Sequence, residues 1–478
     1  MMRKKGSVTV FLTLILSLLL SLICASIESV RMASARTQIL NGMDIGLYSL
    51  FGQYDKELLT DYDLFALDGS GGGGQLDLAA VCDELEAYMN PVLKQNSQKL
   101  TLCQSGLTGY RLLTDQNGEA FYQQIVGYMQ ETLGSQGIQL LLGRMSERQE
   151  KTAQADQSAN QAQSKGSIDR YDSEMNQASE KSQQAAKEAQ VVPQDPPAKN
   201  PITIMKRIMK RGVLELVLPG GNGLSTKAIE KGTLVSGRGL QQGLEMPDGM
   251  TTENGYTSEV LFQQYLMEHL GSYAEPSSAG LAYQMEYIFG GKDSDEDNLK
   301  AVASKLLFIR EGVNFACLMA DNVKRSEAQA LATAIASGFL VPPAAVIIEA
   351  ALILCWAFAE SVLDVRELFA GGRIPLVKSS ADWQISLGNL PDLMEGLDSM
   401  RRNDEKGMSY KDYLQVLVLT VSKEKKVMRA MDMIENTIRE KGRRNFCMDS
   451  CIVALEAFAD VKANKKKDFQ VIRQYCYE

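Results

Sequence analysis

Few residues in this chain could start a reaction. Of 478 residues one is histidine, His269, so a multi-histidine metal site cannot form. At most one imidazole is available to activate a serine or cysteine nucleophile. His269 lies in Tyr-Leu-Met-Glu-His-Leu, residues 265–270, on a helical pattern, and reads as a structural or surface histidine. The eight cysteines, at 24, 82, 103, 317, 355, 447, 451 and 476, are scattered. Cys447 and Cys451 are the nearest pair, but without a second pair they make a poor zinc motif, and buried thiols or one or two disulfides are the simpler reading.

Three carboxylate groupings invite a closer look. Asp68-Gly-Ser70, followed by Gly71–Gly74, resembles the metal-ion loop of von Willebrand A domains, with Gly72 where that motif has serine. One loop cannot hold a metal, so a flexible turn is expected, and no Gly-Lys-Ser/Thr follows to make it a phosphate loop. Residues 291–298, Gly-Lys-Asp-Ser-Asp-Glu-Asp-Asn, begin like a calcium loop. The sixth position is then Asn298 and the twelfth Ser304 where glycine and glutamate are needed, so a helix N-terminus with acids complementing its dipole explains the run better. Glu349 falls inside a very apolar run, and burying it requires a partner, for which Arg310 is the candidate. Neither cofactor nor metal is expected.

The elements that carry these residues are dominated by the N-terminus. Arg3, Lys4, Lys5 and Gly6 precede an uncharged apolar run from Ser7 to Ile27. At about 1.5 Å per residue such a run crosses a hydrocarbon core of about 30 Å. The basic tail orients it with the N-terminus cytoplasmic and the bulk extracytoplasmic, a single-pass protein of the cell membrane whose first partner is lipid. Two other readings of the run are a cleaved signal peptide ending near Cys24-Ala25 and a lipoprotein cysteine at Cys24, preceded by Ile23. The basic leader ending in glycine also resembles the class III signal of type IV pilins and Tad-type pseudopilins. That resemblance implies a prepilin peptidase cut between Gly6 and Ser7, although Phe11 stands where those proteins carry glutamate. Beyond the span, Ile39, Met43, Leu47, Leu50, Tyr54 and Leu58 form one helical face. Span and face together predict one helix of about fifty residues, half for membrane and half for a domain, which is the build of a pilin. Gly42, Gly46 and Gly52 weaken it.

Further on, a short strand is expected at 62–67 and helices over 76–142. Residues 146–199 turn polar and read as a solvated helix or disordered spacer, closing at Pro193–Pro197. A basic helix over 200–211, with Lys206, Arg207, Lys210 and Arg211, then leads into a strand-like run. Helices follow over 256–335. Pro342 and Pro343 split the apolar stretch 328–359, which reads as two buried helices in preference to a second span because of Glu349. A helix pair at 410–440 and a β-hairpin over 451–477, with Lys465–Lys467 in its turn, close the chain. The expected architecture is mainly α with some β (α+β): leader 1–6, span 7–27, an N-terminal region 28–145, the spacer, and a helical region 200–478. Net charge is −9, which argues against nucleic acid as a partner.

Lys5–Phe11, Gly291–Leu299 and Glu349–Arg366 together resemble an uncharacterised family of anchored proteins from Gram-positive anaerobes, associated with Tad (Flp) pilus loci and TadE/TadG-like at the N-terminus. The resemblance implies an accessory, pseudopilin-like role beside a pilus or secretion apparatus, with pilus or secretion proteins as partners. It implies no activity. The alternatives are an anchored cell-envelope hydrolase using carboxylates and a ligand-binding sensor ectodomain, the latter predicting a sizeable pocket.

Overall fold

The computed structural model describes residues 5–94, 100–165, 201–218, 223–244, 255–338, 344–379, 382–393, 407–463 and 467–477, with single positions at 246 and between 173 and 184. Outside them lie Met1–Lys4, nearly all of the spacer beyond Lys165 with Pro193–Pro197, Gly220, Gly221 and Asn222, Pro342–Pro343 and the hairpin turn at 464–466. The structure is mainly α with a few antiparallel strands. It divides into two units.

The first, a sheet unit, comprises Met1–Tyr128, Gly237–Glu253 and Ile438–Glu478. Helix α1 (Lys5–Phe51) runs unbroken for 47 residues. From Val8 to Arg31 every residue is exposed, and this half is long and apolar enough to cross a membrane. Its hydroxyls are already satisfied, Thr13 donating to the Val10 carbonyl at 2.9 Å and Ser17 to that of Leu14 at 2.9 Å, as a hydrocarbon environment demands. From Ala35 onward one face changes character: Ala35, Ile39, Met43, Leu47 and Leu50 are buried at helical spacing. The helix stops at Phe51, before Tyr54 and Leu58 of the expected face, because Asp55 accepts the Glu57 and Leu58 amides at 3.0 Å and starts α2 (Lys56–Tyr62). The expected strand at 62–67 shrinks to β1 (Leu67–Asp68).

Helix α3 (Leu78–Lys94) lays Val81, Leu85, Met89 and Leu93 onto α1. Next comes β2 (Leu100–Leu112), in the middle of a stretch expected to be helical throughout. Helix α4 (Asp115–Lys165) follows, then β3 (Cys451–Ala463) and β4 (Lys467–Cys476). Strand β3 is the centre of the antiparallel sheet, bonded to β2 on one side and to β4 and β1 on the other. Leu455, Ala457, Ala459 and Val461 alternate along β3 into the core shared with α1 and α3. The hairpin expected at the C-terminus is therefore present, joined in one unit to the N-terminal region.

The second, a helical unit, comprises Met129–Ser236 and Asn254–Thr437. It contains α5 (Pro201–Met209), α6 (Val213–Val217), α7 (Tyr256–His269), α8 (Gln284–Gly290), α9 (Asp295–Ala320), α10 (Asn322–Gly338), α11 (Ala345–Phe369), α12 (Tyr410–Leu419) and most of α13 (Lys423–Glu440). The run expected as a strand after Gly212 is α6, one turn that buries Leu216 and Val217. Helix α11 is also long and apolar enough for a membrane. It is instead the unit's central helix, its most apolar window 78% buried and α5, α6, α9 and α10 packed around it. The first part of the spacer is folded, since α4 continues to Lys165 and buries Thr152, Ala155 and Ala159.

Candidate functional site

Helices α9 and α11 meet through polar residues placed one turn apart, Arg310 and Asn314 on α9 against Glu360 and Asp364 on α11. Spacing of four puts each pair on a single helix face. All four side chains are excluded from solvent. Arg310 donates Nε and Nη2 to Asp364 Oδ2 at 3.0 and 2.9 Å, and Nη1 to the carbonyls of Pro375 and Leu376 at 3.0 and 2.8 Å. Asn314 donates to the same Oδ2 at 3.0 Å and to Ser361 at 2.9 Å. Lys378, from the segment after α11, brings its ammonium to 2.5 Å from both Glu360 Oε1 and Asp364 Oδ1. Glu360 Oε2 accepts the Ile385 amide at 2.9 Å, and the Ile385 carbonyl accepts both indoles, Trp356 at 2.6 Å and Trp383 at 3.0 Å. Burial opposes ionisation of Asp364, but Lys378 and Arg310 outweigh it and hold the carboxyl below the usual aspartate range. Two cations and two anions thus balance inside the core. Chemically the network pins Pro375, Leu376, Lys378 and Ile385 to α9 and α11, because its carboxylates are committed to their partners.

Arg310 is buried as expected, but its partner is Asp364 and not Glu349. Glu349 stands 3.8 Å from Arg325 of α10. The reason is position along α11: Glu349 lies in its first turns, and Asp364 comes fifteen residues later, about 22 Å along the axis. A signal for the true partner was present in the sequence, because Glu360 and Asp364, four residues apart, share one face of the mostly apolar α11. Lys378 had no local pattern to mark it.

A cavity of about 500 Å³ lies beside this network within the helical unit. Its walls come from α4, the end of α9, the start of α10 and the segment carrying Val377, Lys378 and Trp383. Its size falls in the range of ligand pockets.

A second buried carboxylate, Glu286 on α8, sits among aromatic rings. Its Oε1 accepts the Tyr410 hydroxyl at 2.6 Å and the Tyr273 amide at 2.8 Å, while Oε2 has no hydrogen-bond partner among the described residues. Burial pushes its carboxyl up to about 7.

The remaining sequence candidates are structural. Asp68 Oδ1 accepts the amide and hydroxyl of Ser70 at 2.9 and 2.6 Å, and Oδ2 pairs with Arg443 at 2.9 Å. Arg443 also clamps Asp55 and stacks on Phe446. The loop is an arginine-held turn, and at Gly74 (φ +83°) a Cβ would lie 2.2 Å from the Asn445 carbonyl oxygen. In the acidic run, Ser294 caps α9 and Asp295 accepts the Ala282 and Tyr283 amides at 2.9 Å. No group of three or more His, Cys, Asp or Glu stands close enough to hold a metal among the described residues. His269 ends α7, its ring 4.1 Å from that of Tyr265. Gly6 and Ser7 lie in the first turn of α1.

No curated protein and no solved structure matches this chain. A family model described as a family of unknown function (DUF5702) matches residues 192–463. That match takes in more than half of the chain, including the whole network around Arg310 and Asp364, and the chain is a member of the DUF5702 family.

Proposed function

We propose that this protein is a membrane-anchored, extracytoplasmic accessory component of a Tad-type pilus or secretion apparatus, pseudopilin-like in build. The observation that carries the reading is α1: one helix whose first half is apolar and uncovered, and whose second half is the spine of a core closed by an antiparallel sheet. A helix of that kind ties a folded unit directly to a bilayer, with no linker to let the two move apart. The resemblance of Arg3–Gly6 and the following apolar run to a class III signal supports the same assignment. The length of the chain beyond the span, residues 28–478, is far beyond what a densely stacked subunit accommodates and favours a minor or accessory place over the main fibre.

The test is the intact mass and N-terminal sequence of the mature chain taken from membranes of its own host. A chain beginning at Ser7 is the expected result and marks prepilin peptidase processing. A chain beginning at Met1 or Met2 removes the pseudopilin part of the assignment and leaves a permanently anchored accessory protein.

A further inference from the structure

The cavity of the helical unit has a composition that selects its occupant. Its apolar surface comes from Ala155, Val313, Ala316, Ala320, Val377 and the indole of Trp383. Val377 is 68% exposed and presents apolar surface to the cavity. The charged members of the wall are three lysines, 151, 324 and 378, against one carboxylate, Asp321. Asp321 is engaged on the same wall: its Oδ1 caps α10 by accepting the Val323 and Lys324 amides at 3.0 and 3.2 Å, and its Oδ2 pairs with Lys324 at 3.3 Å, a one-turn contact that a bound anion has to share. Lys378 is neutralised from beneath by Glu360 and Asp364. Among the described residues Lys151 pairs with Glu147 across one exposed helix turn, a contact that an incoming anion displaces at little cost. The Lys324 ammonium already lies 5.7 Å from the centre of the Trp383 ring, so charge and aromatic surface converge on one wall.

We infer that this cavity binds a small carboxylic acid with an apolar, aryl or alkyl, body, the carboxylate meeting Lys151 and Lys324 and the body lying on Trp383 and Val377. The volume suits a free small molecule. Cys317, a thiol on the same wall, reports on occupancy.

The experiment uses the full chain in lipid nanodiscs, with 4-phenylbutyrate as probe and uncharged 4-phenylbutanol as its isostere. Two readouts are followed: the rate of Cys317 alkylation by N-ethylmaleimide, resolved by peptide mass spectrometry with exposed Cys103 as reference, and tryptophan emission. Millimolar 4-phenylbutyrate should slow alkylation at Cys317 alone and shift the emission. The alcohol and the Lys324→Met chain should each respond at least about tenfold more weakly. Ala316→Phe, at an exposed wall position, should fill the cavity and abolish both responses while leaving the thermal transition in place. If Cys317 is unreactive in the free chain, the emission decides. Equal responses to acid and alcohol, no response to the acid, or an undiminished response in Ala316→Phe would each overturn the inference.

Discussion

Asp364 neutralises two cations at once, and removing its charge should show how much the helical unit depends on that balance. In Asp364→Asn, Arg310 and Lys378 remain buried with only Glu360 to offset them. A loss of about 3–5 kcal/mol is expected, the usual cost of breaking a buried ion pair from one side, read as a fall in the denaturant midpoint of the full chain in micelles. Glu349→Gln, which among the described residues touches the longer contact to half-exposed Arg325, should move the midpoint little. Glu286 gives a prediction with a pH signature. Its ordinary value of 4.5 rises to about 7 in the folded chain. Below about 4.5 both states are protonated; between the two values the folded state keeps a proton that the unfolded state releases, so each step up in pH favours unfolding. Stability should therefore fall from pH 4.5 to 7, by up to about 3 kcal/mol for this group. Glu286→Gln should flatten that fall, leaving the part due to Glu311, which burial also raises to about 7. At this scale the sequence was half legible. Arg310 could be recognised as a buried cation needing a carboxylate, yet choosing between Glu349 and Asp364 required knowing where α9 crosses α11.

Among elements, α1 and α3 cross closely at Gly46. A Cβ on Gly46 would lie 2.6 Å from Met89 Cγ and 3.2 Å from Leu85 Cδ1, so the glycine that looked like a weakness in the helix is what lets α3 approach. Gly46→Ile should destabilise the sheet unit by about 1–3 kcal/mol through overpacking. Gly127→Ala in α4, where a Cβ would meet nothing within 4 Å, should stabilise by up to about 1 kcal/mol. Thermal melts of the two variants should move in opposite directions. The amphipathic half of α1, the helices of the helical unit and the closing hairpin were legible because periodicities of 3.6 and 2 are local signals. Strand β2 was not. Its sequence, Leu-Thr-Leu-Cys-Gln-Ser-Gly-Leu-Thr-Gly-Tyr-Arg-Leu, carries two glycines and register shifts that break the alternation, and it becomes a strand by pairing with β3 more than 300 residues away.

At the scale of the whole molecule, the sheet unit gathers both ends of the chain: α1 and α3 supply one layer, and β3 and β4, from the last thirty residues, most of the other. A division of the sequence into consecutive regions could not anticipate this, because strand pairing is indifferent to separation along the chain. The consequence is that the segment long and apolar enough to cross a bilayer is covalently continuous with the core that the C-terminal hairpin completes. Native cysteines test that arrangement directly. Cys24 lies toward the C-terminal end of the apolar run of α1, three residues before Ile27, while Cys103 and Cys476 are exposed on the sheet. In intact host cells treated with a membrane-impermeant maleimide and read by peptide mass spectrometry, Cys103 and Cys476 should be modified and Cys24 spared until detergent is added. Modification of Cys24 alongside the others, or of Cys103 and Cys476 only after the cells are opened, would contradict an extracytoplasmic unit anchored through α1.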